Sequence, residues 1–227
     1  MAATDESHKS RFKIVVIPAD EEGCRFYLEQ YKPFRLAALQ QDPHAFGSTY
    51  TREIAFDDEA WLGRIKNPSA TTFVAVQSDD NRVVASTSLI GPLPNASPVS
   101  NPYQLVVSDA AAVTQGADGA KNNNDNPSGE LEPLCFQMSA VYTSPEARGQ
   151  GLAKSLIKAA TEEARSRARA LGRPLVLSVV VYADNGAAIS VYERCGFVRD
   201  AGGPKLVFNA VKNSSEEQLD MYFQGIS

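Results

Sequence analysis

The sequence predicts an α/β fold, and three observations carry that expectation. The second half of the chain alternates strand-like and helix-like segments, at Leu134–Thr143, 147–171, Leu175–Tyr182 and 185–194. The strongest helical segment, 147–171, is amphipathic: Leu152, Leu156, Ala160, Ala164, Ala168 and Leu171 recur at helical spacing and define a buried stripe. The strand after it is apolar nearly throughout, as expected of a strand covered on both faces. A chain of 227 residues can bury a large core without disulfides or metals, and one domain over residues 1–227 is expected.

The elements follow in chain order. Residues 1–11 read as a flexible tail with no apolar segment, so no secretory signal is expected. Residues 12–17 (FKIVVI) form a short apolar strand stopped by Pro18. Residues 22–41 have helical composition around Pro33, giving either a kinked helix or two pieces with Pro33 opening the second. Asp42 precedes Pro43, which disfavours continuing the helix, and residues 45–50 read as irregular. Asp57, Asp58 and Glu59 open another helix, which ends by Asn67-Pro68, with Trp61 expected in the core. Residues 71–77 and 82–90 are strands rich in Val and Thr, joined by a turn at 78–81. Residues 92–133 then hold 19 Pro, Gly, Asn or Ser, and read as an insertion, either a flap over the site or a surface excursion. Short strands at 197–199, 205–208 and 218–224 close the chain.

The 22 Lys+Arg against 27 Asp+Glu give a net charge of −5, which argues against nucleic-acid coating and against binding to anionic membranes. No apolar run approaches the ~18 residues of a membrane span, so a cytoplasmic protein is expected. Cys24, Cys135 and Cys195 are scattered and read as reduced thiols. With His8 and His44 as the only histidines, no multi-histidine metal site is expected.

The sharpest feature is residues 144–154 (SPEARGQGLAK), between a strand and the long helix. Arg148-x-x-Gly151-x-Ala153 has the form of a phosphate loop. Gly149 and Gly151 allow close approach to the backbone, and the helix start offers free N–H groups and the positive end of a dipole. The pattern is neither Gly-x-Gly-x-x-Gly nor Gly-Lys-Ser/Thr, so a dinucleotide or ATP is a poor fit. Residues 147–173 carry seven Lys or Arg against two Glu, a basic stretch in an acidic chain. A second constellation, Asn185-x-x-Ala188-x-x-x-Tyr192-x-x-x-Gly196-Phe197, follows the next strand.

Together the two segments resemble motifs A and B of the GNAT superfamily of acetyl-CoA-dependent N-acetyltransferases, in order and in separation. The likeness covers about residues 134–200, the expected cofactor-binding core. Arg35-Leu-Ala-Ala-Leu39 and Asp42-Pro-His-Ala-Phe46-Gly-Ser48 also resemble the acceptor-side helix and loop of many small-molecule members.

The resemblance implies a mixed central sheet, flanked by helices, whose fourth and fifth strands splay apart. The pantetheine arm of acetyl-CoA would pair with backbone at Val141, Tyr142 and Thr143. Its pyrophosphate would sit on Arg148, Gly149, Gln150, Gly151, Leu152 and Ala153. Asn185 and Ala188 would meet the cofactor, and Tyr192 would stand near the sulfur as general acid.

Chemistry adds a demand. A primary amine of pKa near 10.4 is only about one part in 10³ neutral at pH 7 and must lose a proton before it attacks. The fourth strand holds no carboxylate. Some GNAT N-terminal protein acetylases carry a glutamate five residues before the Asn, where this chain has Val180. Glu130 and Glu132 are the candidate bases, with a water chain or a neutral amine as alternatives. Phe46, Gly47 and Ser48 are candidates for the acceptor wall. The reading is an acetyltransferase acting on a small primary amine by direct attack in a ternary complex. The alternatives are a peptide or protein amine, or a non-catalytic CoA-binding module. A monomer or homodimer is expected, and no metal.

Overall fold

A computed structural model describes residues 11–99, 101–103 and 131–225. Glu130, most of the tail and most of the insertion with its flap reading lie outside the described residues.

Among the described residues eight strands form one mixed sheet: β1 (Phe12–Val16), β2 (Ala70–Gln77), β3 (Val83–Leu93), β4 (Leu134–Thr143), β5 (Leu175–Tyr182), β6 (Phe197–Arg199), β7 (Lys205–Asn209) and β8 (Ser214–Phe223). The order is β1-β2-β3-β4-β5-β8-β6, with β7 also on β8. β4 and β5 pair in parallel, and the other pairs are antiparallel.

The parallel pair is short. It runs from Leu134↔Leu175 to Met138↔Val179 and stops, although β4 continues to Thr143 and β5 to Tyr182. The expected splay is therefore present, and a bulge accounts for it. Ser88 pairs with Ser139 and Ser86 with Tyr142, so Ala140 and Val141 stand together against Thr87. Ala140 sits at φ 54, and Thr87 Oγ1 donates to Ser139 C=O at 3.1 Å. A bulged strand bends and twists more strongly. β5 is free to follow β8 instead, with Tyr182 opposite Gln218.

The first helical run is continuous from α1 (Glu21–Phe26) through a π-helical turn (Tyr27–Tyr31) into α2 (Lys32–Gln41). Pro33 has no N–H to continue an α ladder, and the turn just before it is wide, with the Lys32 N–H on Tyr27 C=O. The stretch read as irregular contains a 3₁₀ turn (Pro43–Ala45) and a short helix, α3 (Tyr50–Ile54), capped by Thr49 Oγ1 on the Arg52 N–H at 3.3 Å. Helix α4 (Asp58–Ile65) is capped by Asp57 and buries Trp61 completely.

The long helix, α5 (Leu152–Ala170), starts five residues later than the sequence suggested. The positive φ of Gly149 and Gly151 keeps the preceding residues out of the helix. Its stripe lies in the core as expected except at Leu171, which caps the helix and is 60 % exposed. Helix α6 (Gly186–Arg194) packs on the same face of the sheet, and Tyr192, Leu152, Leu156 and Val181 share one buried cluster. The opposite face of β2 and β3 is covered by an aromatic cluster from α1 to α4 that includes Tyr27, Tyr31, Phe34, Phe46 and Trp61. Among the described residues no helix is long and apolar enough to cross a membrane.

Candidate active site

The splayed end of β4 leads into the glycine loop. The Ser144 N–H donates to Val84 C=O on β3 at 2.9 Å, and residues 145–147 make a 3₁₀ turn. Gly149 and Gly151 both stand at φ 76, a backbone region that side chains strain. Among the described residues a Cβ on either would meet nothing within 4 Å, so the glycines leave open space above the main chain. The Ser155 N–H makes the bond to Gly151 C=O, at 3.0 Å. The N–H groups before it have no intrahelical partner and add to the helix dipole. This cradle fits a pyrophosphate by its open space and its main-chain donors.

The edge of β4 beside the gap is main chain as well. Backbone direction alternates along a strand, so with Ser144 turned to β3, Thr143 turns to the open edge. There its C=O accepts from Arg148 Nε at 3.1 Å. Val141 has the same parity as Thr143 and is half-buried, packed on the α5 core. Thr143 Oγ1 is buried with no hydrogen-bond partner among the described residues. The Tyr142 side chain points to the other face, into the aromatic cluster.

On the far side of the gap, Asn185 caps α6. Its Oδ1 accepts from the Ala188 N–H at 3.1 Å, so the oxygen is engaged locally. Ala188 is half-buried on the core. Tyr192 is buried, edge-on to Phe197 at 5.6 Å, and among the described residues nothing hydrogen-bonds its hydroxyl. Burial, and then the nearby Cys195, pushes its pKa well above the ordinary tyrosine value. The phenol stays protonated.

The loop after α2 crosses the mouth of the gap. On the β4 side Asp42 Oδ2 accepts from Tyr142 Oη at 2.7 Å and from Arg148 Nη2 at 2.6 Å. Tyr142, then Arg148, holds the Asp42 carboxyl below its usual range against partial burial. On the β5 side Tyr182 Oη donates to Phe46 C=O at 3.3 Å, and Asn209 Nδ2 donates to Gly47 C=O at 2.9 Å. Phe46 is buried against Tyr142, with ring centroids 5.2 Å apart, and the Arg35 guanidinium lies over the Phe46 ring at 4.4 Å. Ser48 Oγ accepts from Arg52 at 3.4 Å. His44 is exposed.

A buried ion cluster anchors this loop. Arg35 grips both oxygens of Glu53, at 3.1 and 2.9 Å, and Arg64 adds a bond at 3.1 Å. Burial opposes ionisation of Glu53, yet the hydrogen bonds and charge of Arg35, then Arg64, outweigh it and bring its pKa to about 2.

The structure thus gathers the expected residues 141–143, 148–153, 185, 188 and 192 around the gap, with 46–48 across its mouth. It does not bring Glu132 there. Glu132 is exposed ahead of β4, at the end where β4 and β5 remain paired, and its backbone C=O accepts from Arg173. About 20 Å of extended chain separates it from Met138, where the strands part. Residues that the sequence reading left without a role also meet here. Asp42, Tyr182 and Asn209 pin the loop. Gln137 holds Val99 by both backbone groups, at 2.6 and 2.9 Å. Only Asp42 had a signal, its place in the motif ahead of Phe46.

Residues 34–197, more than two thirds of the chain, match the Acetyltransferase (GNAT) family. No curated protein matches. Among solved structures, the NAA60 of Arabidopsis thaliana in complex with acetyl-CoA is similar at TM-score 0.57 and 13% identity, covering 93% of this chain and 98% of that one. The spermidine N-acetyltransferase of Vibrio cholerae in complex with CoA and spermine is similar at TM-score 0.54 and 14% identity, with 94% and 95% covered. The ribosomal-protein-alanine N-acetyltransferase of Brucella melitensis is similar at TM-score 0.53 and 20% identity, with 92% and 98% covered. At these identities the likeness is one of fold.

Proposed function

The chain belongs to the Acetyltransferase (GNAT) family, and we propose that it transfers the acetyl group of acetyl-CoA to a primary amine of a small molecule in a ternary complex. One observation carries the reading: the β4–β5 pair opens after Met138 and Val179, beside a helix start whose glycines leave the main chain bare. When bound, acetyl-CoA supplies the thioester from which the acetyl group moves. The N–H groups from Gly149 to Ala153 would hold its pyrophosphate, and the free edge at Val141 and Thr143 would pair with its amides. A free N–H of that edge would steady negative charge on the carbonyl oxygen. Tyr192, kept neutral by burial, would give its proton to the departing sulfur.

The loop pinned over the mouth by Tyr182 and Asn209 supports a small acceptor over an extended peptide. The test is the melting temperature of the protein with acetyl-CoA and with CoA, using NAD and ATP as controls. At 100 times the dissociation constant a ligand adds about 2.7 kcal/mol. For a chain of this size that is a rise of about 5–10 °C. The rise is expected with the two CoA species alone. Its absence would sink the reading.

A further inference from the structure

An amine acceptor arrives as an ammonium ion, and none of the groups placed above takes its proton. Among the described residues two carboxylates are buried, Glu53 and Asp220. Both oxygens of Glu53 are committed to Arg35 and Arg64. Asp220 is differently situated.

Asp220 lies on β8 directly opposite Val180 of β5, one residue beyond Val179, where β5 parts from β4. Residues directly opposite share a face, with Cβ atoms about 5 Å apart. Leu219 and Met221 point into the core under α5 and α6, so Asp220 points the other way. Val180, Tyr182 and Tyr222 share its face and are only half-buried, so among the described residues that side of the splayed end is partly open.

Asp220 already holds a primary ammonium. Its Oδ2 accepts from Lys205 Nζ at 2.7 Å. Lys205 stands on the outer strand β7 with its side chain 55% exposed, against 11% for Asp220. Asp200 and Tyr222 lie within electrostatic reach of Lys205, and Tyr222 within that of Asp220 as well. The exposed Lys205 ammonium can give way to a second one without leaving Asp220 unpaired.

We infer that Asp220 is the acceptor-ammonium site, exchanging Lys205 for the primary amine and taking the first of the two protons that leave its nitrogen. The inference rests on the acetyl-transfer reading. The ammonium gives one proton to the Asp220 carboxylate, directly or over one water, and Asp220 passes it to solvent. The freed lone pair forms the N–C bond to the acetyl carbon as the C–S bond breaks. The sulfur keeps that electron pair and takes the Tyr192 proton, and the second nitrogen proton restores Tyr192. An amide, a thiol and one released proton result.

The experiment uses the full chain saturated with CoA, titrated with n-butylammonium chloride and followed through the ¹³Cγ resonance of Asp220. A saturable shift is expected in the wild type. Lys205→Met removes the internal competitor and tightens the response, whereas Asp220→Asn binds the probe weakly, seen in the Lys205 signals. With acetyl-CoA and n-butylamine, thiol release falls by about 10²–10⁴-fold in Asp220→Asn, the range for a lost proton acceptor. An Asp220 resonance that ignores the amine, or equal weakening in both variants, overturns the site, because a purely structural ion pair loses alike from either end. Amine binding without thiol release by the wild type overturns the proton-taking step. The melting shift with CoA, run on all three proteins, separates these failures from failure of the acetyl-transfer reading, which would remove the shift in the wild type itself.

Discussion

On the α5 side of the open strand pair the surface is main chain: two glycines at φ 76, the first N–H groups of a helix, and the free edge of β4. On the α2 side it is side chains: Asp42, Tyr142 and Phe46, with Arg35, Glu53 and Arg64 behind them. Main-chain groups are the same in every sequence, so the first surface depends on leaving the backbone uncovered. The second depends on which side chains meet, and on charges whose burial must be offset by partners. The two surfaces should therefore break in different ways.

The largest expected effect falls on the side-chain surface. Glu53→Gln leaves the buried Arg35 and the half-buried Arg64 around an uncharged amide, and breaking such a cluster costs about 3–5 kcal/mol. Thermal melts of the free protein would show it, while the folded fraction keeps its response to CoA. The acid behaviour sharpens the point. The Glu53 pKa is lowered in the folded state to about 2, so its contribution is fully present above the ordinary carboxyl value. It is lost as pH falls from about 4.5 toward 2. Melting temperature against pH should slope down through that window in the wild type and less so in Glu53→Gln.

Gly151→Val acts on the main-chain surface. A β-branched residue at φ 76 is strained, by about 1–2 kcal/mol, and its side chain stands where the open space is. CoA affinity should fall at least ~100-fold, equivalent to about 2.7 kcal/mol, measured by calorimetric titration. A variant that still binds CoA normally would show that the uncovered backbone is not the binding surface. Tyr192→Phe removes only the proton and should lower kcat by about 10²-fold with little change in CoA affinity. Equal kcat would assign the proton to another donor.

This contrast also explains what was legible in the sequence. Uncovered main chain needs glycines at fixed spacing and an amphipathic helix behind them, and both are local. The glycine loop, the stripe from Leu152 to Ala168 and the order of β4, α5, β5 and α6 could all be read. The start of α5 could not, because the positive φ of Gly149 and Gly151 is a three-dimensional fact. The α2 side joins residues far apart in the chain: Asp42 to Arg148, Phe46 to Tyr182, Gly47 to Asn209. No periodicity records such meetings. Glu132 shows the opposite error, since closeness in sequence to β4 placed it at the end of the strand away from the gap.

The smallest expected effect tests whether the two surfaces are separate at all. Asp42 is their direct link, holding Tyr142 of the aromatic side and Arg148 of the glycine loop. Asp42→Asn keeps an acceptor for the Tyr142 hydroxyl but removes the charge opposite Arg148. Their side chains are 34% and 50% exposed, so solvent screens the pair. The loss in stability should stay within about 1 kcal/mol. Hydrogen exchange at Phe46 and Gly47, with and without CoA, reads the coupling more sharply than melting does. If the loop is tied to the glycine loop through Arg148, CoA should slow exchange there in the wild type and less in Asp42→Asn. Identical protection in both proteins would mean that the side-chain surface is held by Tyr182, Asn209 and the Glu53 cluster alone. The glycine loop and the loop after α2 would then be neighbours without being coupled.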